Sequence, residues 1–354
     1  MAIVAHRSDF QRRPLKYILT ATFVSKGIAR MRDGKQLLIA SKDYAHENRW
    51  QSWWHLGSTL AAFATVVPLI FLPLHWLIVV PFSVVLGLLL VRMFVLYHDY
   101  EHGAILSRSR LADWIMMMGG LIVLSPRSIW NRSHNHHHKS NSKSFGNAVG
   151  TYPLMTVDDF AKATRWDRLM YAASRSPLNI AMGYFTIFLF GMCLRPLILN
   201  PRKHYDCAIA LLMHFSLIGL LVVFFGWSIA LLAVMIPFAV AGGLGSYLFY
   251  AQHNFPGLEL RHRAEWSHVF AALHSSSYIR MNSVMNWFTG NIGYHHVHHC
   301  NSKIPFYRLP EAMAGIEELK LPCVTSLNPK DIIRCFQMKL WDPVQERLVS
   351  FAGR

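Results

Sequence analysis

Twenty histidines occur in this chain of 354 residues, and several stand at spacings that suit metal ligation. In His98-Asp99-Tyr100-Glu101-His102 two imidazoles lie at i and i+4, on one helical face, so both reach one metal if a helix runs through them. His134-Asn135-His136-His137-His138 and His295-His296-Val297-His298-His299 each fit the pattern HxxHH, through His134, His137, His138 and through His295, His298, His299. On a helix the i, i+3 and i+4 positions gather on one side and present three nitrogen donors together. One such run alone is a surface tract with incidental metal affinity. Two of them plus the i, i+4 pair point to a metal centre. Eight candidate nitrogens exceed what one tetrahedral zinc can use, so a two-metal centre follows. Imidazole suits iron, zinc, copper and nickel alike; zinc lacks redox chemistry whereas iron activates dioxygen, so the metal decides the reaction class.

Other polar residues take lesser expectations. His136 and His296 fall between ligand positions and read as packing or supporting residues. Asn291 lies four before His295 and is a candidate ligand if a helix extends back to it. Asp99 and Glu101 are placed to accept the second ring N–H of a histidine. His214, inside an apolar run, is either a functional buried group or a neutral histidine bonded to a neighbouring helix. His262, His268 and His274 have no ligand spacing, and His204 reads as a bystander whose replacement by alanine should be silent.

Positioning these residues falls to membrane helices. The chain is 53% apolar and only 15% charged, with a mean hydropathy of +0.25, against about 25% charged residues in soluble domains. Cys193, Cys207, Cys300, Cys323 and Cys335 are odd in number and scattered, so neither a disulfide framework nor a thiolate zinc site is expected. The net charge of +16 flanks apolar runs, which favours a membrane surface over nucleic acid. The N-terminal stretch has no long apolar region ending in a cleavage site, so no secretory signal is read there.

The apolar run 57–97 is long enough for two spans of about 20 residues, broken at Pro73-Leu74-His75-Trp76. A second pair lies within 207–250, turning at Phe225-Gly226-Trp227. The expected spans are 57–74, 76–97, 207–226 and 228–250, with Arg92 near the end of the second, free to snorkel to the headgroups. Stretch 114–124 is too short to cross. Stretch 178–199 is assigned to the interface, because basic residues from Arg108 to Lys203 crowd 98–206 while the turns near 75 and 226 carry none. The expectation is an all-α membrane protein of four transmembrane helices in two hairpins, with a cytoplasmic helical cap holding the histidine-rich site. A cytoplasmic arm 1–55, with Trp50, Trp53 and Trp54 at headgroup level, precedes the core 56–320 and a cytoplasmic tail 321–354.

The motifs HDYEH, HNHHH and HHVHH, with two spans between the second and third, resemble the three histidine boxes of the integral-membrane fatty acid desaturases. Phe249-Tyr250-Ala251-Gln252-His253-Asn254-Phe255, the run from Asn286 to His299, and Ile304-Pro305-Phe306-Tyr307-Arg308-Leu309 are similar to bacterial acyl-lipid desaturases of the delta-12/omega-6 type, over roughly 50–320. The resemblance implies a non-haem diiron enzyme that uses dioxygen and two external electrons to remove two hydrogens from an unactivated acyl chain, leaving a cis double bond. It implies as ligands His98, His102, His134, His137, His138, His295, His298 and His299, and adds His253, which matches the family's additional ligand histidine.

Electrons must come from outside, since the chain has no GxGxxG after a strand and no HPGG segment. The implied partners are a fatty acyl lipid, a ferredoxin-like or other external donor, and membrane lipid, with no nucleic acid; the basic surface suits an acidic donor or anionic headgroups. An apolar tunnel between the spans is expected to bring the chain to the iron face, its length and bend setting the double-bond position. The alternatives are a membrane diiron hydroxylase or ketolase acting on an alkyl or carotenoid substrate, a non-catalytic metal- or lipid-binding membrane protein, and a membrane zinc hydrolase.

Overall fold

Long apolar runs bounded by capping residues become long helices here. The structure, a computed structural model, describes residues 32–141, 152–261 and 265–352. Most of the arm, Lys143 and His262 lie outside the described residues. Asp33 closes a capping box with Gln36 at the start of α1 (Gly34–Ser41). Asn48 accepts the Gln51 amide and so starts α2 (Arg49–Ile70) eight residues before the expected 57. Trp50, Trp53 and Trp54 therefore ride on the first turns of a span. That helix stops at Ile70 rather than 74, since the residue before Pro73 is biased away from helical backbone.

His75 caps α3 (Trp76–Glu101), whose 26 residues make a rod of about 39 Å, longer than the hydrocarbon core of about 30 Å. The helix runs past the expected end at Tyr97, so His98 sits within its last turn and His102 is its C-cap residue. The second hairpin is α10 (Tyr205–Phe225) and a continuous rod, Trp227–Ala251, joined through Gly226 at φ +82. The rod consists of α11 (Trp227–Ala230), a π-helical stretch (Leu231–Met235) and α12 (Ile236–Ala251). Pro237 explains the π stretch: it has no N–H and its ring crowds the carbonyl one turn back, so the ladder widens before it.

These four helices are long and apolar enough to cross a membrane, and together with the short helices around them they make an all-α membrane fold. Over its apolar window α3 is 56% buried, against 17%, 17% and 28% for the others, so α3 is the pillar on which both hairpins pack. Gly87 lets α12 approach closely, since a Cβ there would lie 2.7 Å from the Pro237 carbonyl. Arg92 does not snorkel. It is 1% exposed, bonded to Thr59 Oγ1 at 2.8 Å, His55 Nδ1 at 3.1 Å and the Trp287 carbonyl, with its guanidinium 3.9 Å over the Trp287 ring. Neutral acceptors within reach hold it inside the protein.

Between the hairpins lie α4 (Arg110–Ile122), α5 (Arg127–Ser140), α6 (Val157–Lys162), α7 (Arg165–Ser174) and α8 (Pro177–Ala181). A π-helical stretch, Tyr184–Leu194, then runs into α9 (Arg195–Leu199), again just ahead of a proline, Pro196. The whole apolar helix Tyr184–Leu199 falls short of the roughly 20 residues a span needs.

After the last span come α13 (His268–His274), β1 (Tyr278–Arg280), α14 (Ser283–Phe288), α15 (His295–Cys300), α16 (Leu309–Gly315), β2 (Val324–Ser326), α17 (Pro329–Gln337), β3 (Leu340–Asp342) and β4 (Arg347–Val349). β2 pairs parallel with β1, Tyr278 opposite Val324, and β3–β4 is an antiparallel hairpin with Trp341 opposite Leu348. The stretch expected as a tail is thus folded against the body. Buried Arg175 bonds Asn254 Oδ1 and, at 2.6 Å, the Pro153 carbonyl, while Asn254 Nδ2 donates to the carbonyls of Cys335 and Met338 at 2.7 and 2.9 Å.

Candidate metal centre

Three helix segments and one loop converge at the end of α3. Helix α5 carries the second histidine group and is clamped at its N-terminus. Arg127 Nε donates to Glu101 at 2.7 Å and its NH2 to Asp113 at 2.9 Å. Asp206 accepts the Ser128 amide at 2.9 Å and hydroxyl at 2.6 Å, a carboxylate suited to first-turn donors. His204 Nδ1 lies 2.8 Å from the Ser128 hydroxyl, so this buried residue, outside both imidazole groups described below, braces the start of the helix. Glu101 anchors α5 instead of orienting a histidine; Asp99 does orient one, with Oδ1 3.0 Å from His98 Nδ1 and Oδ2 accepting the Phe306 amide at 2.7 Å.

The nine histidines singled out above fall into two adjoining groups. His98, His102, His134, His138 and His298 form one, and His137, His253, His295 and His299 the other; within each, one donor atom per residue lies within 4.8 Å of the rest. The rings of His138 and His299 stack across the boundary at 4.4 Å. Each HxxHH helix gives its i, i+4 pair to one group and its i+3 residue to the other: α5 sends His134 and His138 one way and His137 the other, while α15 sends His295 and His299 one way and His298 the other.

In the first group Nε2 atoms run His102–His134–His138–His298 at 2.9, 3.0 and 3.1 Å. In the second they run His137–His299–His295–His253 at 3.1, 3.0 and 2.9 Å. Each Nε2 carries either one proton or one lone pair, so at most two of the three contacts in each chain are hydrogen bonds. A shared cation removes the conflict. Two nitrogens about 2.1 Å from one ion stand about 3.0 Å apart at a right angle and about 3.4 Å apart at the tetrahedral angle. The observed 2.9–3.1 Å places neighbouring Nε2 atoms close enough to share one ion.

Burial first, and neighbouring imidazoles second, push His134, His137, His138, His295, His298 and His299 well below their usual value of 6.5, and burial takes His253 to about 4. The rings are neutral, the form that donates a lone pair. His253 Nδ1 is 3.0 Å from the Ser275 carbonyl, which directs Nε2 inward. Trp130 stacks on His134 at 4.5 Å and 15°. The donor set fits metal ions.

The remaining candidates lie outside both groups. Asn291 is not on a helix with His295: α15 begins at His295, and Asn291 sits in the preceding turn at φ +53, its side-chain amide donating to the Phe306 carbonyl at 3.2 Å. His296 is buried and bonds the Leu319 carbonyl at 3.0 Å, a packing role. His214 bonds Tyr184 of the neighbouring π stretch at 2.6 Å. His268 and His274 contact the Cys300 carbonyl and Glu259. Spacing alone did not single out the clamp on α5 or the Ser275 carbonyl. The only local sign of the clamp was an acidic residue, Asp206, opening a span.

Fold and site together define a helical membrane protein with a histidine-lined centre able to hold metal ions. A sequence model of the family described as Fatty acid desaturase matches residues 74–322, and the chain belongs to that family. Its relatives include a Fatty acid desaturase from Bacillus subtilis (strain 168), 29% identical over 281 residues, 79% of each chain. An sn-1 acyl-lipid omega-3 desaturase (ferredoxin) from Synechocystis is 26% identical, over 70% of this chain and 68% of the relative. An sn-1 oleoyl-lipid 12-desaturase from Picosynechococcus is 22% identical, over 69% and 70%. Membership makes the protein an oxidoreductase of fatty acid desaturation.

Proposed function

We propose that this protein is a dioxygen-dependent desaturase of lipid-linked acyl chains, with two non-haem irons held by the five- and four-imidazole groups. The observation that carries the reading is the pair of neutral, buried Nε2 clusters with edges of 2.9–3.1 Å. A pair of irons supplies dioxygen activation, which a saturated chain with no acidic proton or electrophile requires. In balance, the chain loses two hydrogens, a donor gives two electrons with two protons, and dioxygen leaves as two waters.

The protein's own residues position and exclude. His98, His102, His134, His138 and His298 hold one metal; His137, His253, His295 and His299 hold the other. Asp99 and the Ser275 carbonyl keep His98 and His253 in the tautomer that turns Nε2 inward. Trp130 and Phe249 pack on the membrane side of the imidazoles, Phe249 at 6.0 Å from His137, and keep water from the reacting carbons. Both clusters lie on the side of the membrane where basic residues concentrate, which supports a cytoplasmic site. A relative's name specifies ferredoxin, and the charge of +16 suits an acidic protein donor.

Two measurements test this reading. Purified protein should carry two irons per chain by plasma mass spectrometry, and cells expressing it with a ferredoxin should gain a double bond by gas chromatography–mass spectrometry. A hydroxylated product from iron-loaded protein would move the assignment to an oxygenase, and zinc in place of iron would overturn it.

A further inference from the structure

The segment 278–294, between the last span and α15, reaches down into the membrane part of the fold. Its α14 lies outside the four spans, yet the Trp287 carbonyl accepts a hydrogen bond from Arg92, whose guanidinium carbon stands 3.9 Å from the centre of the Trp287 ring. Arg92 gives the depth. It stands nine residues before the end of α3, about 14 Å along the axis. Its other partners, His55 and Thr59, stand six and ten residues after Arg49, about 9 and 15 Å into α2. Trp287 therefore lies inside the ends of both helices, near the level of exposed Trp54, the residue before His55.

Packing and backbone bonds hold the segment at that depth. The turn after α14 is pressed onto α3, since a Cβ at Gly290 (φ +52) would stand 2.7 Å from Val95 Cγ1. Asn286 Nδ2 donates to the Met281 carbonyl at 3.1 Å, the Asn291 amide to the Asn286 carbonyl at 2.9 Å and the Ile279 amide to the Gly293 carbonyl at 2.9 Å. So fixed, α14 turns an apolar edge outward: Val284 and Trp287, three apart on one face, are 62% and 37% exposed. Such an edge is unfavourable in water and suits the boundary between headgroups and acyl chains, where tryptophan concentrates. Two residues before Asn282, the cap of α14, stands exposed Arg280, which forms no ion pair among the described residues.

We propose that α14 is an interfacial anchor for anionic phospholipid: Val284 and Trp287 enter the outer acyl layer of the leaflet nearer the metal centre, and Arg280 binds lipid phosphate. A cation at the bilayer surface is drawn to anionic headgroups, and Arg280 has no carboxylate to compete with them. The anchor bears on the centre, because only the turn 289–294 separates α14 from α15. Lipid held at α14 thus fixes the depth at which His295, His298 and His299 stand. The assignment is independent of which reaction the centre performs.

Fluorescence quenching of the full chain in phosphatidylcholine nanodiscs, where both faces are open to solvent, tests the anchor. Val284→Cys carries a solvent-sensitive fluorophore in a Cys323→Ser background, since Cys323 is the one cysteine that is not buried. Val344→Cys, 91% exposed between β3 and β4, is the water-facing control. A nitroxide on the upper acyl chain of the lipid should quench most of the Val284 label and spare the Val344 label, and aqueous iodide should do the reverse. A Val284 label quenched by iodide and spared by the lipid nitroxide overturns the anchor, and would leave that edge to a protein partner.

Replacing part of the lipid by phosphatidylglycerol tests the charge. Emission of the Val284 label should shift to the blue and its quenching by the lipid nitroxide should deepen. Arg280→Glu should abolish that gain while leaving quenching in phosphatidylcholine alone unchanged. No gain with phosphatidylglycerol, or a gain retained in Arg280→Glu, overturns the phosphate assignment. Neither readout involves turnover, so a failure here leaves the desaturase reading standing, and a protein without desaturase activity could still show the anchor.

Discussion

The two imidazole groups look like mirror images until their extra histidines are compared. Each takes an i, i+4 pair from one HxxHH helix and the i+3 residue from the other. The five-imidazole group then gains a second helical pair, His98 and His102, because α3 continues beyond the span, with Asp99 supporting His98. The four-imidazole group gains only His253, two residues past the end of α12 and one past its C-cap Gln252. Its neighbours are tied down from afar: Gln252 Nε2 to the Ile292 carbonyl at 2.9 Å, and Asn254 to Arg175 and to the carbonyls of Cys335 and Met338. One site is completed by local helix geometry. The other depends on the closure of the whole chain, and it should be the first to lose its metal.

Removal of an i+3 histidine gives the largest contrast. His137→Ala and His298→Ala should each lower turnover at least about a hundredfold, with membrane insertion intact. Iron analysis should show His137→Ala close to one iron per chain, since three imidazoles remain in its group, and His298→Ala retaining more, since four remain. Equal losses would erase the proposed asymmetry. Asp99→Asn should weaken metal affinity at the five-imidazole group by about 10–100-fold, measured by chelator competition.

Asn254→Ala should cost about 1–3 kcal/mol of stability, because Arg175 and two carbonyls lose their partner. Chelation should then strip one iron well before the other; concerted loss would argue that Asn254 supports both groups alike. Acid should weaken both groups, since burial holds histidines of each well below 6.5. His253 and His296 sit at about 4 in the fold through burial, against 6.5 when free, so the unfolded chain takes up protons first. Their contribution to stability is complete above about pH 6.5, falls as pH drops toward about 4, and levels off below. The unfolding midpoint of metal-free protein across that range checks the slope. Smallest is His204→Ala: Ser128 keeps Asp206, so a loss of about 1 kcal/mol or less is expected in a thermal melt.

Much of this centre was legible because its signals are local. Eight histidines stand at i, i+3 and i+4, a spacing any helix converts into a shared face, and the four spans follow from apolar runs, though Asn48 moved one start to Arg49 and the helix of α3 outran its apolar segment to reach Glu101. His253 came only with the family resemblance, having no ligand partner within its own turn. Asn291 failed as a helical neighbour of His295 because the backbone reverses at φ +53 between them. The tail that folds onto Asn254 carried no visible mark of it, because its partners are distant carbonyls that any residue supplies.

Helices, hydrophobic spans and three groups of donors are readable along the chain alone, since periodicity and hydropathy act between residues a turn apart. Long-range packing set how each HxxHH helix is shared between two sites, that Arg92 is held inside, that His204 braces α5 and that Tyr184 meets His214. These depend on which helices pack together and at what depth. A one-dimensional pattern holds no such distances; packing around α3 creates them.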